Sequence, residues 1–179
     1  MTQPNIEVLY DAATIAARIA GLAAEIRDAG FREKLLVVAV LKGGFVFAAD
    51  LIRALHHAGV SPEVDFMSLS SYHSGTESSG VVTVLRDLET DVSGRNVLIV
   101  DDILESGRTL AYAKRLLAER GAERVGLAVL LDKPGHRVAD IEGDFVGFTC
   151  PDLFVVGFGM DMGHAFRELP YIGHVASTE

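Results

Sequence analysis

The chain has 179 residues, which is the size of one domain. Apolar residues make up 49% of it and charged residues 23%, a balance that excludes a wholly disordered or low-complexity chain. Lysine and arginine number 16 against 25 aspartate and glutamate residues, which gives a net charge of −9. This negative excess opposes nonspecific binding to nucleic acid and to anionic membranes, but a local basic pocket for a small anion is still allowed.

The single cysteine, Cys150, excludes an internal disulfide bond and a zinc site built from cysteines. Residues 1–5 lack the basic and then apolar pattern of a signal peptide. The longest apolar run, residues 35–41, is too short to span a bilayer. We therefore expect a cytoplasmic protein of one domain, with no nucleic-acid partner and no membrane partner.

The hydrophobic pattern predicts alternating helices and strands. Apolar residues recur at helical spacing from Ile15 to Ile26, so a helix is predicted over residues 12–29. The continuous apolar run at 35–41 is typical of a strand that is buried on both faces. Two more helices are predicted over 45–58 and 109–119, and further strands over 64–69, 81–86, 97–100, 125–131, 145–148 and 154–157. This alternation favours an α/β fold with a mostly parallel sheet, in which ligands bind beyond the carboxyl ends of the strands.

The segment over residues 97–109 contains the largest group of candidate functional side chains. An apolar strand delivers Asp101 and Asp102 to its carboxyl end, and Glu105 follows. The next helix opens with small, hydroxyl and basic residues, namely Ser106, Gly107, Arg108 and Thr109. Backbone N–H groups and the helix dipole favour a phosphate at such a helix start. A ribose 5-phosphate suits both halves of the segment, because its hydroxyls can donate to the aspartates and Mg²⁺ can balance the charges.

These thirteen residues resemble the phosphoribosyl-diphosphate signature of the type I phosphoribosyltransferases. The resemblance implies an α/β fold with a central, mostly parallel sheet flanked by helices and a small hood built from the chain termini. It places the core at residues 30–147 and the hood at residues 1–12 and 148–179. It also implies that Asp101 and Asp102 bind the ribose and Mg²⁺, and that the loop from Glu105 to Thr109 binds the phosphate.

Other segments resemble the hypoxanthine-guanine branch of this family, in the same order along the chain. A turn after the first buried strand looks like its pyrophosphate loop, formed by Leu41, Lys42, Gly43 and Gly44. In that branch the first peptide bond of the loop can be cis, and Arg167 corresponds to a further pyrophosphate ligand. Ser71 and Tyr72 resemble a Ser-Tyr pair in a loop that covers the site and excludes water. They fall in a stretch, residues 70–80, whose five serines and two glycines predict a loop.

The purine-binding part of the resemblance rests on Lys133 and on the segment from Asp152 to Asp161. It implies that Lys133 donates to the 6-oxygen of the purine, since an ammonium can donate but cannot accept. Phe154 would stack on the base, the Val155 backbone would meet its edge, and Asp161 would reach both the base and the metal. Read without the resemblance, Lys133 would be a surface lysine, while Phe154 and Val155 would be core strand residues.

The resemblance implies a transferase that joins a 6-oxopurine, hypoxanthine or guanine, to the ribose of 5-phosphoribosyl 1-diphosphate and releases pyrophosphate. It also implies a homodimer or homotetramer. Glu105 is the implied catalytic residue, because the family's acid at this position manages the proton on purine N7. The chain departs from the family here: aspartate is usual where Glu105 stands, and Glu-Asp is usual where Asp101-Asp102 stands. Glutamate is one methylene longer, so its carboxylate needs a different reach.

Three alternatives stay open at this level. A signalling receiver domain also has an apolar strand that ends in two aspartates, although here only Asp152 is available as a phospho-acceptor. A related phosphoribosyltransferase that prefers xanthine would share all of these motifs. A nucleotide-binding regulator without catalytic activity is opposed by the net charge of −9 and by the acid at Glu105.

Overall fold

A computed structural model describes residues 4–71 and 82–176, which form three α-helices, one short 3-10 helix and nine strands. The helices are α1 (Ala12–Asp28), α2 (Phe45–His57) and α3 (Arg108–Glu119), and the 3-10 turn covers Pro134–His136. The strands are β1 (Ile6–Tyr10), β2 (Leu35–Leu41), β3 (Glu63–Ser71), β4 (Val82–Arg86), β5 (Asn96–Leu104), β6 (Arg124–Asp132), β7 (Phe145–Thr149), β8 (Val155–Val156) and β9 (Ile172–Val175). All predicted helices and strands are confirmed, whereas β1 and β9 were not predicted.

The main sheet has the strand order β4-β3-β2-β5-β6-β7, and only its edge strand β4 is antiparallel to its neighbour. From β2 the chain first adds β3 and β4 on one side and then β5, β6 and β7 on the other. The carboxyl ends of β2 and β5 therefore flank the point where the direction of winding reverses. In open α/β sheets, ligands bind in the crevice at this point.

Both faces of the sheet are covered, which explains why the apolar run of β2 shows no alternation. Val37 and Ala39 face the cluster formed with α1 and α2, while Leu36 and Val38 face the cluster formed with α3. No helix in the described part of the chain is both long and apolar enough to cross a membrane. The predicted mostly parallel sheet flanked by helices is confirmed.

A second, three-stranded sheet brings the two ends of the described chain together, in the order β1-β9-β8 with antiparallel pairing. It stands beside the carboxyl ends of the main sheet because the turn that follows β8 packs on the turn that follows β2. A Cβ on Gly159 would collide with the carbonyl oxygen of Gly43. The second sheet thus supplies the wall of the crevice opposite β5.

Candidate active site

Two adjoining cavities lie at the carboxyl ends of β2 and β5, one of about 240 Å³ and one of about 500 Å³. They share a wall made by the β2–α2 turn and the end of β5, with Lys42, Gly43, Asp102 and Glu105 among its residues. The smaller cavity adds Asp101, Ser106, Gly107 and Thr109. The larger cavity adds Lys133, Phe154, Val155, Asp161 and Arg167. Residues from four segments of the predicted site thus meet in one crevice: the turn at 41–44, the segment at 101–109, Lys133 and the segment at 153–167.

Two predicted site residues, Gly44 and Arg108, line neither cavity. Gly44 is the N-cap of α2, and Arg108 is the first residue of α3. Ser71 is the last residue of β3, so this strand extends into the stretch that was predicted as a loop. Tyr72 lies outside the described residues.

The acidic pair lies within β5 rather than after it, because this strand continues to Leu104. Asp101 is only 9% exposed, and its Oδ1 accepts a hydrogen bond from the Asp102 backbone N–H at 2.9 Å. Burial, followed by the neighbouring Asp102 carboxylate, raises the pKa of Asp101 well above its usual value. Asp102 is half-buried and lines both cavities. The two aspartates therefore differ in environment: Asp101 is buried at the strand end, and Asp102 is partly exposed to both cavities.

Two glycines let the β2–α2 turn approach this acidic strand end. The Asp102 carboxylate fills the place that a Cβ on Gly43 would need. A Cβ on Gly44 would lie 2.9 Å from the Val40 carbonyl oxygen and 3.1 Å from Asp101 Cα. The peptide bond between Leu41 and Lys42 is cis. Close backbone packing thus requires glycine at position 44, while a side chain at position 43 would displace the Asp102 carboxylate.

The smaller cavity ends at the start of α3. Gly107 has φ +78°, and a Cβ there would lie 2.6 Å from Ile141 Cγ2. The first N–H groups of a helix have no partner within the helix, and the helix dipole favours an anion beside them. The hydroxyl residues Ser106 and Thr109 line the same cavity. This end of the site can bind a phosphate group.

A segment that the sequence did not single out holds the phosphate loop in place. Arg137 Nε donates to the Glu105 carbonyl oxygen at 2.8 Å, and Arg137 also forms an ion pair with Asp132. The backbone N–H groups of Val138 and Ala139 both donate to the Ser106 carbonyl oxygen at 3.0 Å. Only the folded chain brings these residues together, so no sequence signal marks Arg137.

Lys133 and Glu105 form an ion pair at the wall of the larger cavity, with Nζ 2.8 Å from Glu105 Oε1. Lys133 is 8% exposed, so the interpretation as a surface lysine is wrong. Burial lowers the pKa of Lys133, but the hydrogen bond and charge of Glu105 outweigh burial, and the net shift is upward. The ammonium therefore stays charged beside the carboxylate.

Phe154 and Val155 occupy different environments. Phe154 is 57% exposed at the mouth of the larger cavity, which contradicts its interpretation as a core residue. Val155 is 6% exposed and belongs to β8, as its hydrophobicity predicts. An exposed aromatic ring at a cavity mouth is a surface on which a planar ring can stack.

Asp161 and Arg167 form the wall of the larger cavity that faces β5. Arg167 Nη2 lies 2.7 Å from Asp161 Oδ1, and Arg167 Nη1 donates to the Gly159 carbonyl oxygen at 2.7 Å. The His164 backbone N–H donates to Asp161 Oδ2 at 2.7 Å. The larger cavity thus carries carboxylates on two walls, from Asp102 and Asp161, and carboxylate oxygens are the ligands that Mg²⁺ prefers.

The sheet is mostly parallel, and a cavity suited to a phosphate lies where the strand order changes direction. These features are typical of α/β proteins that bind phosphorylated ligands. The family model of the phosphoribosyl transferase domain matches residues 5–162. The hypoxanthine-guanine phosphoribosyltransferase of Bacillus subtilis is 45% identical over 174 residues, covering 97% of this chain and 95% of that protein. The hypoxanthine phosphoribosyltransferase of Escherichia coli is 43% identical over 175 residues, covering 96% of each chain.

Solved structures agree with this result. The crystal structure of a hypoxanthine phosphoribosyltransferase from Staphylococcus aureus superposes with a TM-score of 0.89 at 41% identity, covering 95% of this chain and 91% of that one. This chain belongs to the phosphoribosyltransferase family, in its hypoxanthine-guanine branch. The receiver-domain interpretation is wrong.

Replacing Gly107 tests the phosphate loop. We expect Gly107→Ala to weaken the binding of ribose 5-phosphate about tenfold or more, because the left-handed φ and the contact with Ile141 force the loop to move. Titration calorimetry measures this affinity. Gly135→Ala is the matched control, because a Cβ at Gly135 meets nothing within 4 Å. Equal affinities for the two variants would contradict this account of the loop.

Replacing Asp101 tests its raised pKa. A carboxyl group whose pKa is higher in the folded state binds its proton more tightly there, so stability falls as the pH rises through that raised value. Asp101→Asn removes this ionisation, and we expect a melting temperature about 2–4 °C above the wild type at neutral pH. The difference should shrink in acidic buffer. Asp140→Asn, at an exposed position, is the control, and a wild-type melting temperature for Asp101→Asn at neutral pH would contradict the prediction.

Proposed function

We propose that this protein transfers the phosphoribosyl group of 5-phosphoribosyl 1-diphosphate to hypoxanthine or guanine, with release of pyrophosphate. The observation that carries the proposal is the ion pair between the buried Lys133 and the more exposed Glu105, which joins the base end of the crevice to the phosphate loop. The 6-oxygen and N7 are neighbours on one edge of a 6-oxopurine. A donor and an acceptor 2.8 Å apart match that edge, with Lys133 facing the oxygen and Glu105 facing the N7 proton.

The same pair discriminates against adenine. Adenine presents an amino group at the 6-position, and an ammonium cannot accept a hydrogen bond from it. Burial of an unmatched donor costs about 1–3 kcal/mol, so adenine should bind more weakly. The exposed ring of Phe154 provides the stacking surface, and the backbone of Val155 meets the opposite edge of the base in this proposal.

The sugar phosphate occupies the smaller cavity and the edge it shares with the larger one. The ribose hydroxyls donate to Asp101 and Asp102, and the 5-phosphate binds the N-terminus of α3 with its loop of Ser106, Gly107, Arg108 and Thr109. Complementary charge supports this orientation, because the helix start attracts the phosphate while the acids would repel it. The reacting anomeric carbon then lies between the two aspartates and the base.

The pyrophosphate group leaves toward the β2–α2 turn. Lys42, the backbone N–H groups of Gly43 and Gly44, and Arg167 are placed to bind it, together with the backbone at Leu41. Asp102 and Asp161 fit Mg²⁺, because both are carboxylates that line the larger cavity. Asp101, which lines the smaller cavity beside Asp102, is the third proposed metal ligand. When bound, Mg²⁺ supplies positive charge that neutralises the leaving pyrophosphate.

Glu105 is the proposed acceptor of the proton on purine N7. As the base nitrogen bonds to the anomeric carbon and the bond to pyrophosphate breaks, the proton on N7 passes to the Glu105 carboxylate. An oxocarbenium-like sugar must also be protected from water. Leu69 and Leu85, on the strands that flank residues 72–81, line the larger cavity. This position supports a covering role for the segment that contains Ser71 and Tyr72.

We extend the proposal to the assembly and location of the protein. The three-stranded sheet acts as the hood over a core that covers residues 30–147. A homodimer or homotetramer, as the family resemblance implies, is part of this proposal. The free thiol of Cys150 agrees with a cytoplasmic location.

The direct test is a spectrophotometric assay of hypoxanthine, guanine, xanthine and adenine with the sugar donor and Mg²⁺. We expect turnover with hypoxanthine or guanine, and we expect Glu105→Gln to lower it about 100-fold or more with donor affinity within a few fold of the wild type. Xanthine as the best substrate would identify the xanthine-preferring alternative. Wild-type turnover in Glu105→Gln would remove the catalytic role of this residue.

Replacing Lys133 tests the placement of the base. Lys133→Ala should raise the Michaelis constant for hypoxanthine about tenfold or more, because a charged hydrogen bond to the 6-oxygen is lost. The Michaelis constant for the sugar donor should change far less. Lys114→Ala, which removes a partly exposed lysine on α3, is the control. The opposite pattern, with the larger change for the sugar donor, would refute the placement.

Removing the metal tests the role of the carboxylates. An excess of chelator should abolish product formation, and added Mg²⁺ should restore it, because the leaving group then regains its neutralising charge. Asp161→Asn should raise the Mg²⁺ concentration needed for half-maximal rate. Circular dichroism checks that the chelator leaves the fold intact. Full turnover in the chelator would defeat the metal assignment.

A further inference from the structure

The ion pair between Lys133 and Glu105 continues outward as a chain of four side chains. Asp152 Oδ1 lies 3.7 Å from Lys133 Nζ, on the ammonium that also bonds Glu105. His136 Nε2 lies 2.9 Å from Asp152 Oδ2. From the surface inward, these contacting side chains therefore follow the order His136, Asp152, Lys133 and Glu105.

Asp152 and His136 are outside the cavities. Neither residue lines the larger or the smaller cavity, and the Asp152 side chain is 66% exposed. They therefore act on a ligand only through Lys133, whose side chain is 10% exposed. This geometry defines positioning residues rather than catalytic ones.

The need for a second anion follows from the proposed reaction. In the structure Glu105 bonds Lys133, whereas the proposed function requires a 6-oxopurine to bond both of them along one edge. When Glu105 turns to the N7 proton, the ammonium loses its nearest carboxylate while it stays largely buried. Asp152 keeps a negative charge beside the ammonium through this exchange, and a buried cation without such a partner is costly.

The contact with His136 determines which oxygen of Asp152 faces the Lys133 ammonium. Its ring nitrogen contacts Oδ2, which leaves Oδ1 for Lys133. The hydrogen bond from His136 is the largest of the effects that lower the pKa of Asp152, so the carboxylate stays ionised at neutral pH. Cys150 is the other titratable group that faces Lys133, and burial raises the pKa of its thiol, which keeps it neutral.

A metal site is the competing interpretation of the same residues. Ligand atoms of Glu105, His136 and Asp152 lie within 4.8 Å of one another. The Lys133 ammonium, however, already contacts the two carboxylates of this group and supplies the positive charge that they require. A second cation would be repelled by it.

We propose that Asp152, held by His136, is the positioning residue that keeps the Lys133 ammonium directed at the 6-oxygen of the purine while Glu105 bonds N7. The proposal rests on the function given above. It makes Asp152 and His136 determinants of affinity for the base, with no direct contact to it.

The first test replaces Asp152 and compares both substrates. Asp152→Asn should raise the Michaelis constant for hypoxanthine about two- to fivefold, which is the range expected for a partly exposed ion pair. The Michaelis constant for the sugar donor should stay within experimental error. Asp140→Asn removes the same charge from an exposed position near the same turn and should change neither constant. No change in Asp152→Asn, or an equal change for both substrates, would overturn the proposal.

The second test replaces His136. His136→Ala removes the ring nitrogen that contacts Asp152 Oδ2, so the Michaelis constant for hypoxanthine should rise by up to about the two- to fivefold change expected for Asp152→Asn. His136→Gln keeps a side-chain donor and should restore most of the affinity, while the Michaelis constant for the sugar donor should stay constant in both variants. An unchanged constant for hypoxanthine in His136→Ala would contradict the proposed role.

The third test requires no turnover and separates the proposal from the proposed function. Nitrogen-detected NMR follows the titration of the Lys133 ammonium in the wild type and in Asp152→Asn. We expect a lower pKa of Lys133 in the variant, because the charge of Asp152 raises this pKa, although its effect is smaller than those of burial and Glu105. An unchanged titration would show that the two groups are uncoupled, even in a protein that turned over hypoxanthine normally.

Discussion

The contact between Gly43 and the Asp102 carboxylate is the constraint on which the crevice depends. It brings the turn after β2 against the end of β5, at the point where the winding of the sheet reverses. A side chain at Gly43 would displace the Asp102 carboxylate, and one at Gly44 would collide with the backbone of Val40 and Asp101. A Cβ on Gly159 would meet the carbonyl oxygen of Gly43, so the turn after β8 in the three-stranded sheet packs directly on the same turn. Close contacts at glycines therefore couple the fold to the site.

Charge is distributed along the crevice in a definite order. The helix N-terminus of α3 lies at one end, the aspartates of β5 in the middle, and the Lys133–Glu105 pair at the other end. In the proposed function, each part binds one portion of a purine or a sugar diphosphate. The strand ends and the helix start are fixed by the packed core, so the polar groups are held in position before a ligand arrives. Such preorganisation is what electrostatic catalysis requires.

The sequence predicted much of the fold because local patterns carry it. The continuous apolar runs of β2 and β5 indicate strands that are buried on both faces, and the apolar spacing within α1 indicates a helix with one buried face. It could not predict β1 and β9, since these short strands are stabilised by pairing between distant ends of the chain. The number of acids in the 97–109 segment indicated a site, but not that Asp101 and Asp102 lie within β5. Burial of Lys133, exposure of Phe154 and the contacts of Arg137 depend on tertiary packing, which no local pattern encodes.

The most direct measurement is a crystal structure with 5-phosphoribosyl 1-diphosphate bound. The account predicts the 5-phosphate against the backbone N–H groups at residues 106–109, with the ribose hydroxyls within hydrogen-bond distance of Asp101 and Asp102. A ligand bound elsewhere, with this loop and these carboxylates making no contact to it, would contradict the central claim.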